Sequence, residues 1–113
     1  MRYVDIMSRQ IFIPFKPIMI SAIAEGRKSA TSRTYKLGEI GDFFYIRGKC
    51  YVITSIVKML LGEVAAKYYK EEGVSSPEEF VALWIHIHPT RGFNPEQLVF
   101  IHFFKEKYGG ESK

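Results

Sequence analysis

The segment GRKSATSR, residues 26–33, gathers three cationic and three hydroxyl side chains without an acidic residue among them. It follows an apolar stretch that begins at Pro17, so a helix-to-strand turn is expected at Gly26. Two interpretations are open. The segment is either a solvent-exposed basic strand edge, which is common in β-sheets, or the wall of a polar pocket that binds or cleaves an anionic or nucleotide-like ligand.

Length and composition indicate one globular, sheet-rich domain. The chain has 113 residues, of which 47% are hydrophobic and 15% aromatic, and this composition excludes a disordered chain. Nine Phe and seven Tyr favour strands, because aromatic side chains pack well on pleated surfaces. The net charge of +4 is compatible with nucleic-acid binding and does not establish it.

Cysteine content and hydropathy indicate a cytoplasmic protein. Cys50 is the one cysteine, so an intramolecular disulfide is excluded and a reducing compartment is expected. The longest apolar run, within residues 17–24, is too short to cross a bilayer. Charged residues interrupt the first part of the chain, which argues against a secretory signal.

The first half of the chain contains a predicted strand, a short helix and a hairpin. IFIPF at residues 11–15 predicts the strand, and Pro17 predicts the first position of a helix with Ile18 and Ala22 on its buried face. The stretch DFFYIRGKCYVITSIV predicts a β-hairpin whose tip is residues 47–49.

The second half changes to helical periodicity. Residues 61–72 predict a helix that Gly73 ends, and SPEEF predicts a second helix capped by Ser76. LVFIHFF, residues 98–104, predicts the last strand. The expected buried residues of the two helices are Leu61, Val64, Ala65, Tyr68, Phe80, Leu83 and Trp84. This order predicts an α+β fold, a small curled or partly open barrel with helices at its rim.

Lys28 and Thr31 are the first candidates for chemistry. A lysine whose pKa is lowered by burial or by nearby cations can act as a base toward a hydroxyl. In a regular strand, however, these two side chains point to opposite faces. They share a pocket only if Lys28 lies in the turn after Gly26 or if a bulge intervenes; otherwise both belong to a solvent-facing basic strand.

Glu72 is the second candidate. The apolar face of the helix, continued from Tyr68 by one four-residue step, reaches Glu72 and leaves Glu71 one position around the helix. A carboxylate on that face either points into a pocket or lies at a frayed, solvated helix end.

The histidines carry less information. His86 and His88 alternate in WIHIHP, which is expected to become extended before Pro89, and His102 lies in the last strand. Together with Cys50 they lack the spacing of a zinc site, so no metal and no cofactor are expected.

Further residues are candidates for nucleic-acid contacts. Lys36 and Arg91 could bind phosphates or could be solvated loop cations. The hairpin aromatics could stack on bases, although core packing is the commoner role of such residues; these are Phe43, Phe44, Tyr45 and Tyr51. The sequence lacks a P-loop and the GxGxxG, HExxH and GxSxG motifs, which removes several enzyme classes.

The sequence resembles the ASCH domains of the PUA-like β-barrel superfamily over residues 12–105. The resemblance rests on FKPIMISAIAEGRKSATSR, which carries the G-[KR]-K-x-x-T-x-R motif, and on the later Gly41-Asp42 pair. YKEEGVSSPEEFVALW is similar to the helical insertion of that family. The resemblance implies a single domain over residues 1–113, and we expect residues 1–9 and 108–113 to be flexible.

The resemblance implies RNA or modified nucleosides as partners. ASCH domains are thought to bind RNA in the cleft of the barrel, and some small members deacetylate N4-acetylcytidine with a lysine, a threonine and a glutamate. By motif these would be Lys28, Thr31 and Glu72; this chain differs from those enzymes in having Ser29, Ala30 and Ser32 where they favour β-branched residues. The residues expected to bind the substrate or RNA are Arg27, Ser29, Arg33, Lys36 and Arg91.

Three functions therefore stay open. A nucleoside- or RNA-binding module needs a cleft lined by the motif, with a continuous basic groove if it binds a strand. An amidohydrolase needs Lys28, Thr31 and Glu72 within hydrogen-bond reach of one another. A protein-interaction adaptor in transcription or translation needs an exposed apolar patch.

Overall fold

A four-stranded antiparallel sheet organises the protein. The computed structural model describes residues 8–108, and the strands lie in the order β1-β4-β3-β2. The sheet curls into a half-barrel with three helices, which confirms the predicted α+β class. The strands are β1 (Ala30–Arg33), β2 (Phe43–Ile46), β3 (Lys49–Leu60) and β4 (Leu98–Glu106). The helices are α1 (Pro17–Ala24), α2 (Leu61–Lys67) and α3 (Pro77–Ile87).

The predicted hairpin is β2–β3. Ile46 pairs with Lys49, and the two residues between them, Arg47 and Gly48, have φ values of 51° and 82°. Positive φ at both positions suits a two-residue turn whose twist matches that of the strands. β3 then continues past β2 and pairs with β4 through a register shift at Ile53/Ser55. Such a bulge bends the strand and helps the sheet to curl.

Two hydrophobic clusters flank the sheet. The helix-side core joins α2 and α3 to β1 and β4; its buried members are Ala30, Leu61, Val64, Ala65, Phe80, Trp84, Val99 and Ile101. The hairpin-side core joins the residues before α1 and α1 itself to β2, β3 and β4; its buried members are Ile13, Ile23, Phe44, Ile46, Tyr51, Ile53 and Phe104.

The sequence predicted where the helices start more accurately than where they end. Pro17 opens α1 and the Ser76 hydroxyl accepts the Glu79 amide at the start of α3, both as predicted. α2 ends at Lys67, five residues earlier than predicted, and the chain continues in turns. α3 continues to Ile87, so the prediction that residues 84–89 become extended is wrong over most of its length.

The predicted strand at residues 11–15 and the predicted burial of Ile18 are both wrong. Residues 11–15 form no regular strand: among the described residues, the backbone pairing of this segment with β2 is limited to the Gln10–Phe43 bridge beside it and an Ile11 hydrogen bond. Pro14 lacks the N–H that a ladder needs. Ile18 is 67% exposed, whereas Ala22 and Ile23 are the buried residues of α1.

The expectation of flexible ends falls largely outside the described residues. Residues 1–7 and 109–113 are not described. Within the described part, the Arg9 amide donates to the Asp42 carboxylate at 3.1 Å, and the Arg9 carbonyl accepts the Phe43 amide at 3.0 Å.

Candidate functional site

Lys28 lies in the turn between α1 and β1. The Arg27 and Lys28 amides both donate to the Ala22 carbonyl, Gly26 has a φ of 82°, and β1 begins only at Ala30. Because Lys28 precedes β1, the alternation of side chains along the strand does not determine which way its side chain points. Its side chain turns inward and is buried, with a residue exposure of 3%.

The Lys28 ammonium has three hydrogen-bond acceptors. Nζ donates to the Ala30 carbonyl at 2.8 Å, to the Glu72 carbonyl at 3.1 Å and to Glu72 Oε1 at 3.1 Å. Burial lowers the pKa of Lys28, and the Glu72 carboxylate opposes that shift. Three acceptors match the three donors of the charged form, so the geometry is that of a buried ion pair.

Glu72 comes from the turns after α2. Its amide donates to the Tyr68 carbonyl at 3.0 Å, which continues one helical turn beyond α2 and gives Glu72 the inward direction that the periodicity predicted. The Glu71 carbonyl accepts the Ser29 and Ala30 amides and fixes this segment to β1. A Cβ on Gly73 would lie 2.9 Å from the Lys28 Cβ, and Gly73 has a φ of +96°, so this close approach requires glycine.

Ser32 completes a buried chain of polar groups that sequence reasoning missed. Its hydroxyl donates to Glu72 Oε2 at 2.6 Å, while Lys28 holds the other oxygen of the same carboxylate. Strand alternation contained the signal, because it places residues 30 and 32 on the face opposite Thr31. We call this chain, Ser32–Glu72–Lys28, the polar triad.

Thr31 has different partners. Its hydroxyl accepts Arg33 Nε at 3.3 Å, and its carbonyl lies 3.2 Å from Nδ1 of the buried His102. The structure therefore brings Lys28 and Glu72 together and places Thr31 beside Arg33, at the same cavity.

Arg33 spans the edge of the site. Its Nη2 donates to the Pro14 carbonyl at 2.7 Å, and its guanidinium lies 5.2 Å from the centre of the Phe15 ring. Burial lowers the pKa of Arg33, partly offset by Glu72, but a guanidinium stays charged at neutral pH. Arg33 is therefore a cation at the cavity, held by the Thr31 hydroxyl and the Pro14 carbonyl.

His102 supports the site from β4. Its Nδ1 lies 3.2 Å from the Thr31 carbonyl, and its Nε2 accepts the Leu37 amide at 3.0 Å. An acceptor at Nε2 requires the proton to be on Nδ1, so the ring is neutral. Burial lowers the pKa of His102 and favours this state.

A cavity of about 390 Å³ opens beside the polar triad. Its walls are largely apolar and aromatic, and they include the Trp84 and His88 rings, which stack with centroids 4.3 Å apart. The aromatic lining residues are Phe15, Phe80 and Trp84, and the polar residues of the motif and turn are Thr31, Ser32, Arg33 and Glu72. Lys28 lies behind Glu72, away from the cavity surface.

The other predicted binding residues lie elsewhere on the surface. Arg27 is exposed and pairs with Glu25 at 2.7 Å, and Lys36 is exposed and 3.4 Å from Glu39. Ser29 and Arg91 are also exposed. Within residues 8–108, none of these four side chains lines the cavity.

The hairpin aromatics, which were candidates for stacking on bases, lie away from the cavity. Phe44 and Tyr51 are buried in the hairpin-side core, while Tyr45 is exposed.

Over residues 8–108, no three His, Cys, Asp or Glu side chains are arranged to hold a metal ion. In the same part of the chain, no helix has the length and hydropathy needed to span a membrane.

Comparison with known proteins gives matches among solved structures. No protein-family model and no curated protein matches the chain. An ASCH domain from Lactobacillus crispatus is 17% identical, with a TM-score of 0.61 over 88% of this chain and 78% of that one. An Enterococcus faecalis protein of family DUF984 is 18% identical, with a TM-score of 0.57 over 88% and 76% of the two chains.

A second ASCH protein, from Zymomonas mobilis, is 14% identical with a TM-score of 0.55, over 87% of this chain and 65% of that one. At sequence identities this low, the matches show that the proteins share a fold and nothing more specific.

Proposed function

The chain has the ASCH-domain fold that its sequence predicted, and on this basis we propose that it binds a base-modified nucleoside in the cavity beside the polar triad. The observation that carries the proposal is the cavity itself, which has aromatic walls and one polar end. Its volume of about 390 Å³ lies in the range of small-molecule sites.

The lining suits a nucleobase. Phe15 and Trp84 give the cavity apolar walls against which a base can pack, beside the Arg33 and His88 side chains that lie on their rings. At the polar end, Glu72 accepts hydrogen bonds and Arg33 donates them, as the edge of a base requires. The Ser32 and Thr31 hydroxyls can do either.

The distribution of cations favours a nucleoside over a long RNA strand. Among the described residues, Arg33 and Lys16 are the cations that line the cavity, whereas the predicted binding residues Arg27 and Lys36 are exposed and paired with carboxylates. Affinity for the proposed ligand should therefore depend weakly on salt, unlike the affinity of a protein that binds many phosphates.

A second candidate function, hydrolysis of an amide on the exocyclic nitrogen of the base, is favoured by the polar triad. Glu72 accepts a hydrogen bond from the Ser32 hydroxyl at the cavity wall. Such a carboxylate–hydroxyl pair is a candidate for acid–base and nucleophilic chemistry.

Titration of Trp84 fluorescence tests the proposed function, because Trp84 is the one tryptophan of the chain and lines the cavity. N4-acetylcytidine, cytidine and uridine are the probes, and chromatography of the same samples detects free cytidine and acetate. We expect saturable binding of the acetylated nucleoside.

Arg33→Gln and Lys36→Gln form a matched pair of variants, since both remove one cation. We expect Arg33→Gln to weaken binding about tenfold, the effect of losing one charged hydrogen bond, and Lys36→Gln to leave it unchanged. Absence of saturable binding by the folded protein for all three nucleosides would refute the proposed function.

A further inference from the structure

We propose that Ser32, rather than the motif threonine Thr31, is the catalytic hydroxyl of this protein and forms an acyl-enzyme during amide hydrolysis. The proposal rests on the proposed function in its hydrolytic form. It assigns the reactive atom to a residue that the family resemblance does not point to.

The two neighbouring hydroxyls differ in their partners. Ser32 Oγ lies 2.6 Å from Glu72 Oε2, a short bond of the kind that a hydroxyl makes to a charged acceptor. Thr31 Oγ1 instead accepts a bond from Arg33 Nε at 3.3 Å. Only Ser32 is thus paired with a base that can take its proton.

Ser32 and Glu72 also have the right degree of burial. They are 7% and 6% exposed, and both line the cavity. A substrate in the cavity would therefore meet both groups in surroundings that exclude most water, where electrostatic interactions are stronger than in bulk solvent.

Lys28 is a positioning residue in this arrangement. Its three hydrogen bonds end on two carbonyl oxygens and on Glu72 Oε1, and this leaves Oε2 for Ser32.

Hydrolysis then proceeds in two balanced steps. Ser32 Oγ attacks the acyl carbon while Glu72 takes its proton; the C–N bond breaks, the nitrogen keeps the electron pair and receives that proton, and the free amine leaves. A water molecule then attacks the acyl-Ser32 carbon and gives a proton to Glu72; the C–Oγ bond breaks, and Ser32 recovers the proton. The products are the amine and the carboxylic acid.

Acetylation by 4-nitrophenyl acetate tests the assignment without the nucleoside. We expect a burst of 4-nitrophenolate, with one acetyl group that peptide mass spectrometry locates on Ser32. Ser32→Ala should abolish the burst. In the matched variant Thr31→Val, which removes the neighbouring hydroxyl of β1, the acetyl group should still be located on Ser32. Lys28→Met should slow the burst while the acetyl group still appears on Ser32, because Glu72 Oε1 loses the donor that positions the carboxylate.

The outcomes separate this proposal from the proposed function. An acetyl group on Thr31, an equal burst from Ser32→Ala, or absence of acylation in folded wild-type protein would overturn the assignment to Ser32. Loss of nucleoside binding in the Trp84 titration, with acylation of Ser32 intact, would overturn the proposed ligand and leave the nucleophile in place. Circular dichroism of each variant shows whether it is folded.

Discussion

The hairpin-side core and the polar triad are both buried, yet they are built from opposite chemistry. In the first, Phe44 stacks with Tyr51 at 5.8 Å and meets the Phe104 ring edge-on at 5.2 Å. In the second, Lys28 and Glu72 are removed from water almost as completely, with side-chain exposures of 1% and 5%. Burial of aromatic rings is favourable, whereas burial of two charges costs desolvation energy that their attraction offsets only in good geometry.

The difference suggests a division of labour. The hairpin-side core needs no ligand to account for it, because its packing stabilises the fold. A buried ion pair is often no more stabilising than apolar residues of the same volume. Because the polar triad lies at the cavity wall, a functional role explains it better than a contribution to stability does.

Removing Phe44 should give the largest loss of stability. Phe44→Ala deletes a side chain that is 2% exposed, and we expect a decrease of about 4 kcal/mol in the free energy of unfolding measured with urea. Phe12→Ala is the matched control, because Phe12 is 81% exposed and its truncation should change stability little.

Nucleoside affinity should change much less than stability in Phe44→Ala, at temperatures where the variant is folded, although the Phe44 ring packs against Phe15 of the cavity wall. A large loss of affinity would contradict the division of labour, because Phe44 does not line the cavity beside the polar triad.

Breaking the polar triad should have the next largest effect. Glu72→Gln leaves the buried Lys28 ammonium without its anion, and we expect a loss of about 3 kcal/mol in the urea-unfolding experiment. Lys28→Met combined with Glu72→Gln should recover part of that loss, since neither charge is then buried alone. If the double variant lost the sum of the two single effects, Lys28 and Glu72 would not be energetically coupled.

The sequence predicted the hairpin-side core better than the site. Local signals determine a hairpin: alternating aromatic and β-branched residues and a glycine at the turn specify β2–β3 with little help from the rest of the chain. The same holds for the Ser76 cap of α3. α2 ended early, and the turns that followed it were not predicted, because tertiary contacts with β1 determine that segment.

Within the site, motif and periodicity named Lys28 and Glu72 as candidates and left open whether they are buried, and Ser32 was not among the candidates. The bond between Ser32 and Glu72 joins residues 40 positions apart, and it depends on how the turns after α2 meet β1. Strand alternation indicates the face of β1 on which Ser32 lies, but the residue that it contacts there is known only once the packing is known. For Arg27 and Lys36, nearby carboxylates at Glu25 and Glu39 provide partners that charge counting alone did not assign.

His102 should give the smallest of the three effects, confined to acidic pH. Burial lowers its pKa in the folded protein, opposed by its contact with the Thr31 carbonyl. The unfolded chain, with an ordinary histidine pKa of about 6.5, therefore binds more protons as the pH falls. Stability that is present above pH ~6.5 should be lost as the pH decreases toward the folded-state pKa.

Urea unfolding of wild type and His102→Gln at several pH values between 8 and 5 isolates this effect from other titrating groups. We expect the stability difference between the two proteins to shrink as the pH falls, because only wild type loses stability through this ring. His86→Gln, which replaces an exposed histidine, is the control variant. A difference independent of pH would mean that the His102 ring accepts a proton in the fold as readily as in the unfolded chain. The bond from the Leu37 amide to Nε2 would then not hold the ring neutral.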